Sequence, residues 1–89
     1  MPLAAEVKQE VIQKFARESG DTGSPEVQIA LLTARIQQIA THLRANKQDA
    51  HNRRGLVMMV GKRNRLLRYL KRTDIGRYQD TIKALGLRK

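Results

Sequence analysis

Cysteine is absent from the 89 residues, which removes disulfides, thiolate zinc sites and thiol nucleophiles together. That absence fits a reducing compartment. Aromatic side chains are scarce as well: Phe15, Tyr69 and Tyr78, with no tryptophan. The longest unbroken apolar run is Leu56 to Val60, far short of the roughly 20 residues that cross a bilayer. Met1-Pro2-Leu3-Ala4 shows neither the basic region nor the apolar run of a secretory signal. HExxH, GxxxxGK[ST], GxGxxG and a paired-carboxylate pattern are all missing. Neither an enzyme nor a cofactor site is expected from such a chain, and no membrane partner.

Acid is the most telling shortage. Eight Asp and Glu face 18 Lys and Arg, a net charge of +10. The imbalance is local: residues 1–43 sum to −1 and residues 44–89 to +11. Crowding like charges costs stability through self-repulsion, and solubility alone does not require it. A long, one-signed run confined to half of a chain points to a polyanion.

Between Asn52 and Thr73 stand eight basic residues and no acid: Arg53, Arg54, Lys62, Arg63, Arg65, Arg68, Lys71 and Arg72. Wound at 3.6 residues per turn, Arg54, Met58, Gly61, Arg65, Arg68 and Arg72 share one face. Lys62 and Tyr69 flank it. Leu56, Met59, Val60, Leu66, Leu67 and Leu70 fall on the other side. One face suits a core, and the other suits a nucleic-acid backbone. Arg63 is out of place in the middle of the apolar face. It must snorkel, pair with an acid or overhang the core.

Apolar positions elsewhere also repeat at helical spacing, and no strand pattern is found. A first helix is predicted over about Ala4 to Arg17, with Leu3, Val7, Val11 and Phe15 as a thin stripe. Ser24 as N-cap and Pro25 as first helical residue open a second helix, which runs to Leu43 or Arg44. Glu26 adds negative charge to its first turn. Ile29, Leu32, Ile36, Ile39 and Leu43, widened by Val27 and Leu31, predict packing against two partners. Asp49 caps a third helix running to about Arg72, roughly 36 Å long. Thr73-Asp74 breaks the pattern and caps a fourth helix with Ile75, Tyr78, Ile82 and Leu85 on its stripe. Gly86 and Leu87 read as the C′ and C″ residues of its end. The expectation is an all-α, four-helix, single domain over residues 1–89. It is elongated, with a central antiparallel pair of long helices and a loosely docked N-terminal helix.

His42, Asp49 and His51 bracket the turn between the long helices. Contact with a nucleic-acid groove is the favoured reading there, ahead of a solvated helix junction; a metal site ranks last, since mixed ligands without a signature are weak. Asp21-Thr22-Gly23-Ser24 is a capping turn whose glycine and helix N-terminus also suit phosphate. By helical angle Tyr69 lies amid Arg65, Arg68 and Arg72, so stacking on RNA is expected rather than burial. A DNA-binding protein would need base-reading polar residues on its recognition helix. A lipid-surface helix would need an uncovered apolar face. Neither condition is met.

Several stretches together carry a resemblance. They are Asp21-Thr22-Gly23-Ser24-Pro25-Glu26-Val27-Gln28, His42-Leu43, Asp49 with His51-Asn52-Arg53-Arg54-Gly55-Leu56, Arg65-Leu66-Leu67-Arg68-Tyr69-Leu70, Asp74, Arg77-Tyr78 and Leu85-Gly86-Leu87-Arg88. Over essentially its whole length the chain resembles the bacterial-type family of small-subunit ribosomal protein fifteen. The resemblance implies a structural and early-assembly role in the small ribosomal subunit, with binding to a three-way junction of its RNA. It implies a junction surface of Thr22, Gly23, Gln28, Arg65, Tyr69 and Arg72. A second, minor-groove surface would use His42, Asp49 and Asn52 at a G·U/G·C step. Arg53, Arg54, Lys62 and Arg68 are expected on RNA backbone.

Neighbouring ribosomal proteins and, through a bridge, large-subunit ribosomal RNA are the other implied partners. Some members repress their own messenger RNA. The free chain is expected to be a monomer, working on cytoplasmic ribosomes; an organellar ribosome would suit the same chemistry. Two positions depart from the family pattern: Asn52 where serine is usual, and Ala50 where histidine is usual. Asn52 is expected to contact RNA with no structural duty of its own.

Overall fold

A computed structural model describes residues 5–16 and 23–87. Among them are four helices and no strand: α1 (Ala5–Phe15), α2 (Pro25–Ala45), α3 (Ala50–Thr73) and α4 (Ile75–Leu85). The ends follow local chemistry. Ser24 Oγ accepts from Val27 N at 3.4 Å, with Pro25 in the first turn. Asp49 Oδ1 accepts from Asn52 N at 3.1 Å, opening α3. Asp74 Oδ1 accepts from Arg77 N at 3.2 Å, opening α4, while Asp74 N–H donates to Leu70 O at 2.8 Å and so closes α3. One residue therefore ends one helix and begins the next. Thr73 belongs to α3, its hydroxyl donating to Tyr69 O at 3.0 Å.

The end of α4 is as expected. Gly86 takes φ 70°, a left-handed conformation that a Cβ would disfavour. Gly86 N–H reaches Lys83 O, Leu87 N–H reaches Ile82 O at 2.9 Å, and Leu87 folds back onto the core.

Ile29 near the start of α2 packs with Leu67 and Leu70 near the end of α3 and with Tyr78 of α4. His42, near the end of α2, bonds Asp49 at the start of α3. The two long helices are thus antiparallel. The core lies where the first half of α2, the second half of α3 and α4 converge, with Leu66, Ile82, Leu85 and Leu87 packed at its margin. Burying a side chain such as Leu70 stabilises the fold by about 1.5–3 kcal/mol. The buried hydroxyl of Thr33 donates to Ile29 O at 2.8 Å, so this donor stays paired in the core. The molecule measures 39 × 28 × 18 Å, elongated as its helix lengths require.

Three expectations change. α2 touches all three other helices rather than two. Val7 is exposed, and no residue of α1 is buried, so that helix rests on α2 through half-buried side chains such as Val11, Ile12 and Phe15. Ile75 is also exposed, because the first turn of α4 overhangs the core that Tyr78 enters. Leu3, Ala4 and Arg17, assigned to the first helix, lie outside the described residues. Arg63 is half-buried, and its Nε is shielded from solvent without a hydrogen-bond partner among the described residues. Among the described residues no helix is long and apolar enough to cross a membrane.

Candidate nucleic-acid interface

The basic face of α3 is open along its length. Arg53, Arg54, Lys62, Arg65, Arg68, Tyr69 and Arg72 are all exposed. Tyr69 is 47% exposed, as helical angle required, and the Arg72 guanidinium lies 5.9 Å from its ring centroid. A cation over a tyrosine face holds both side chains in a limited set of rotamers. Arg53 is less available than its neighbours, because its guanidinium donates to the Lys47 carbonyl and staples the loop between α2 and α3. Gly61 is half-buried, and nothing lies within 4 Å of where its Cβ would be, so the middle of the face has room for close approach. Val57 and Met58 are also open on this side, at 67% and 68% exposure.

On the capping turn, Gln28 Nε2 donates to Gly23 O at 2.6 Å. The bond ties the turn to α2 and brings those two junction candidates together. Thr22 lies outside the described residues.

The second cluster sits at the other end of α3. Asp49 Oδ2 accepts from His42 Nε2 at 2.9 Å and from Asn52 Nδ2 at 2.6 Å. Its Oδ1 takes the Asn52 backbone N–H. The His42 bond, then the two bonds from Asn52, hold the Asp49 carboxyl down at about 2 against an ordinary 3.8. An ionised carboxylate only accepts, so His42 Nε2 carries the donated proton, which in neutral His42 leaves Nδ1 as an acceptor. Asn52 therefore does have a structural duty: its amide nitrogen anchors on Asp49. Its amide oxygen remains for a ligand. Among the described residues no group of three or more His, Cys, Asp or Glu side chains could hold a metal ion.

Sequence reading missed one strong contact. Arg77 Nη2 donates to Glu26 Oε1 at 2.5 Å, and Arg77 Nε donates to Glu26 Oε2. Glu26, read above as a first-turn charge, is buried and locks the start of α2 to the start of α4. The pairing raises the Arg77 pKa further. The partners stand 51 residues apart, beyond any local pattern; only the rarity of acid in the chain hinted that each one has a task.

A family model described as ribosomal protein S15 matches residues 8–88. The chain belongs to the ribosomal protein S15 family. Two relatives make the same point. The small ribosomal subunit protein uS15 of Halorhodospira halophila is 57% identical over 89 residues, covering all of both chains. That of Frankia alni is 54% identical over 89 residues, again covering both completely. S15 proteins are ribosomal, RNA-binding and structural rather than catalytic. The four-helix S15 architecture is the one found here, with the long pair presenting its acid-free face outward.

Proposed function

We propose that the chain is a structural constituent of the small ribosomal subunit that holds its RNA at two separate places. Gly23 and Gln28, with Thr22, join Arg65, Tyr69 and Arg72 on a three-way junction. His42, Asp49 and Asn52 enter a shallow minor groove at a G·U/G·C step. Arg53, Arg54, Lys62 and Arg68 neutralise backbone phosphates. The observation that carries this reading is the saturated Asp49. A carboxylate holding three internal hydrogen bonds about 30 Å along α3 from Tyr69 supports a second contact point apart from the junction surface. A-form RNA offers 2′-hydroxyls and base edges in a wide minor groove, which small polar groups at a helix end can meet.

A rigid two-point binder recognises the geometry of folded RNA. That suits early assembly of the central domain, and the elongated shape suits a bridge to large-subunit RNA. Repression of the chain's own messenger would follow where that messenger copies the junction. The free protein acts as a monomer and works on cytoplasmic ribosomes.

Competition at physiological salt tests the proposal. Junction RNA is expected to displace the labelled complex at far lower concentration than random duplex DNA or anionic vesicles. Equal displacement by DNA would reduce the protein to a nonspecific polycation.

A further inference from the structure

Two strips run side by side along the C-terminal half of α3. Arg65, Tyr69 and Arg72 make one; Asn64, Arg68 and Lys71 make the other. Both follow steps of four and three, and each residue of the second precedes its counterpart by one, a rotation of about 100°. The second strip walls a cleft of about 440 Å³ between α3 and α4, floored by Leu67 and Tyr78. Both floor residues are buried, at 5% and 6% exposure. The Lys71 ammonium lies 5.6 Å from the Tyr78 ring centroid.

We infer that this cleft is a second phosphate-binding groove. It would take the sugar–phosphate backbone of an RNA strand other than the one meeting Tyr69. The inference rests on the RNA-binding role proposed above. Three observations favour that occupant. Among the described residues no acid lines the cleft, so none of them neutralises Arg68 or Lys71 within it. Lys71 already occupies the face of Tyr78, which excludes a stacked base and leaves an anion as the fitting guest. An ammonium held over a ring is restrained before it binds, and the exposed Asn64 amide adds a neutral donor beside it. Arg77, the nearest cation on α4 by sequence, is consumed by Glu26 and contributes nothing. The result is an α3 that grips backbone on two flanks, one by stacking and charge, the other by charge over an apolar floor.

Phosphate-protection footprinting of the full-length protein on ribosomal-RNA junction fragments tests the groove. Lys71→Ala and Asn64→Ala are each expected to lose one set of protected phosphates, distinct from the set lost in Tyr69→Ala. Lys71→Arg should restore it. The log–log salt slope of Lys71→Ala should be shallower by about 0.9 on duplex RNA. Both side chains are exposed, and melting curves establish that each variant is folded. The proposal is overturned if both variants keep the wild-type footprint, as they would were the groove reserved for an acidic protein. It is overturned equally if they lose only the phosphates lost in Tyr69→Ala. Protection at the Tyr69 flank, measured in the same samples, reports the junction reading separately.

Discussion

At one end of α3, His42, Asp49 and Asn52 are half-buried and bonded to one another. At the other end, Arg65, Tyr69 and Arg72 stand in solvent with one cation–π contact among them. The three clustered side chains at the first end bring no fixed positive charge of their own to attract an anion, so whatever they bind they must fit. The second can attract from a distance but fixes little until a partner orders it. The same helix thus carries a rigid reader and an electrostatic collector. Stability divides in the opposite sense: the core and the Glu26–Arg77 lock lie under the collector, while the reader sits over a thinner seam in which Ile39 is the buried apolar residue.

The largest expected effect tests that division. Glu26→Ala should cost about 2–3 kcal/mol of stability, because Arg77 would keep its charge with no partner. The figure sits below that for fully buried pairs, since the Arg77 side chain is 29% exposed. Chemical denaturation measures it, and amide exchange at the 42–52 turn should change least. Next comes Tyr69→Ala, with an expected loss of about 1–3 kcal/mol in junction affinity and an unchanged melting temperature. A lowered melting temperature with intact affinity would make Tyr69 structural.

Asn52→Ala should weaken binding by about 1 kcal/mol and also lower stability slightly, because Asp49 loses a hydrogen bond. Replacing the G·U step by a Watson–Crick pair should weaken the wild type but hardly affect Asn52→Ala; equal losses would show that residue 52 does not read the step. Acid titration probes Asp49 directly. Its folded pKa is depressed, so its contribution is complete above 3.8 and fades as pH falls towards 2. Between those limits the melting temperature of Asp49→Asn should fall less than that of the wild type. Smallest of all, Arg68→Ala should make the salt slope shallower by about 0.9 on duplex RNA with RNA preference intact. A flat salt response in the wild type would remove the collector altogether.

What could be read from sequence was what repeats or what sits next to its partner. The angular placement of Tyr69, the caps at Ser24, Asp49 and Asp74, and the Gly86–Leu87 ending all follow from steps of one to five residues, and the structure has each. The Glu26–Arg77 pair did not, because a local pattern carries no information about side chains that meet only after folding. The hairpin made the hydrogen-bonded cluster of His42, Asp49 and Asn52 legible, and the structure has it, but the duty of Asn52 was missed: its side chain was read as an RNA contact alone, whereas its amide nitrogen bonds the Asp49 carboxylate. Ile75 and Val7 were placed by periodicity alone, and periodicity says which face a residue shares but not where a neighbouring helix stops.

Asp74 leaves no slack between α3 and α4, and this bears on which changes in chain length the fold can absorb. One residue inserted after Asp74 would turn α4 by about 100° and advance it about 1.5 Å. Tyr78 would swing out of the core, and Arg77 would leave Glu26. The turn at residues 46–49 is different: its bonds from Asn46 and Ala50 are local, and an added residue could be taken up by solvent-facing backbone. Of the two connections of α3, the one on the reader's side is therefore the more tolerant of length variation, and the spacing from Tyr69 to Tyr78 is fixed like the pitch of a screw.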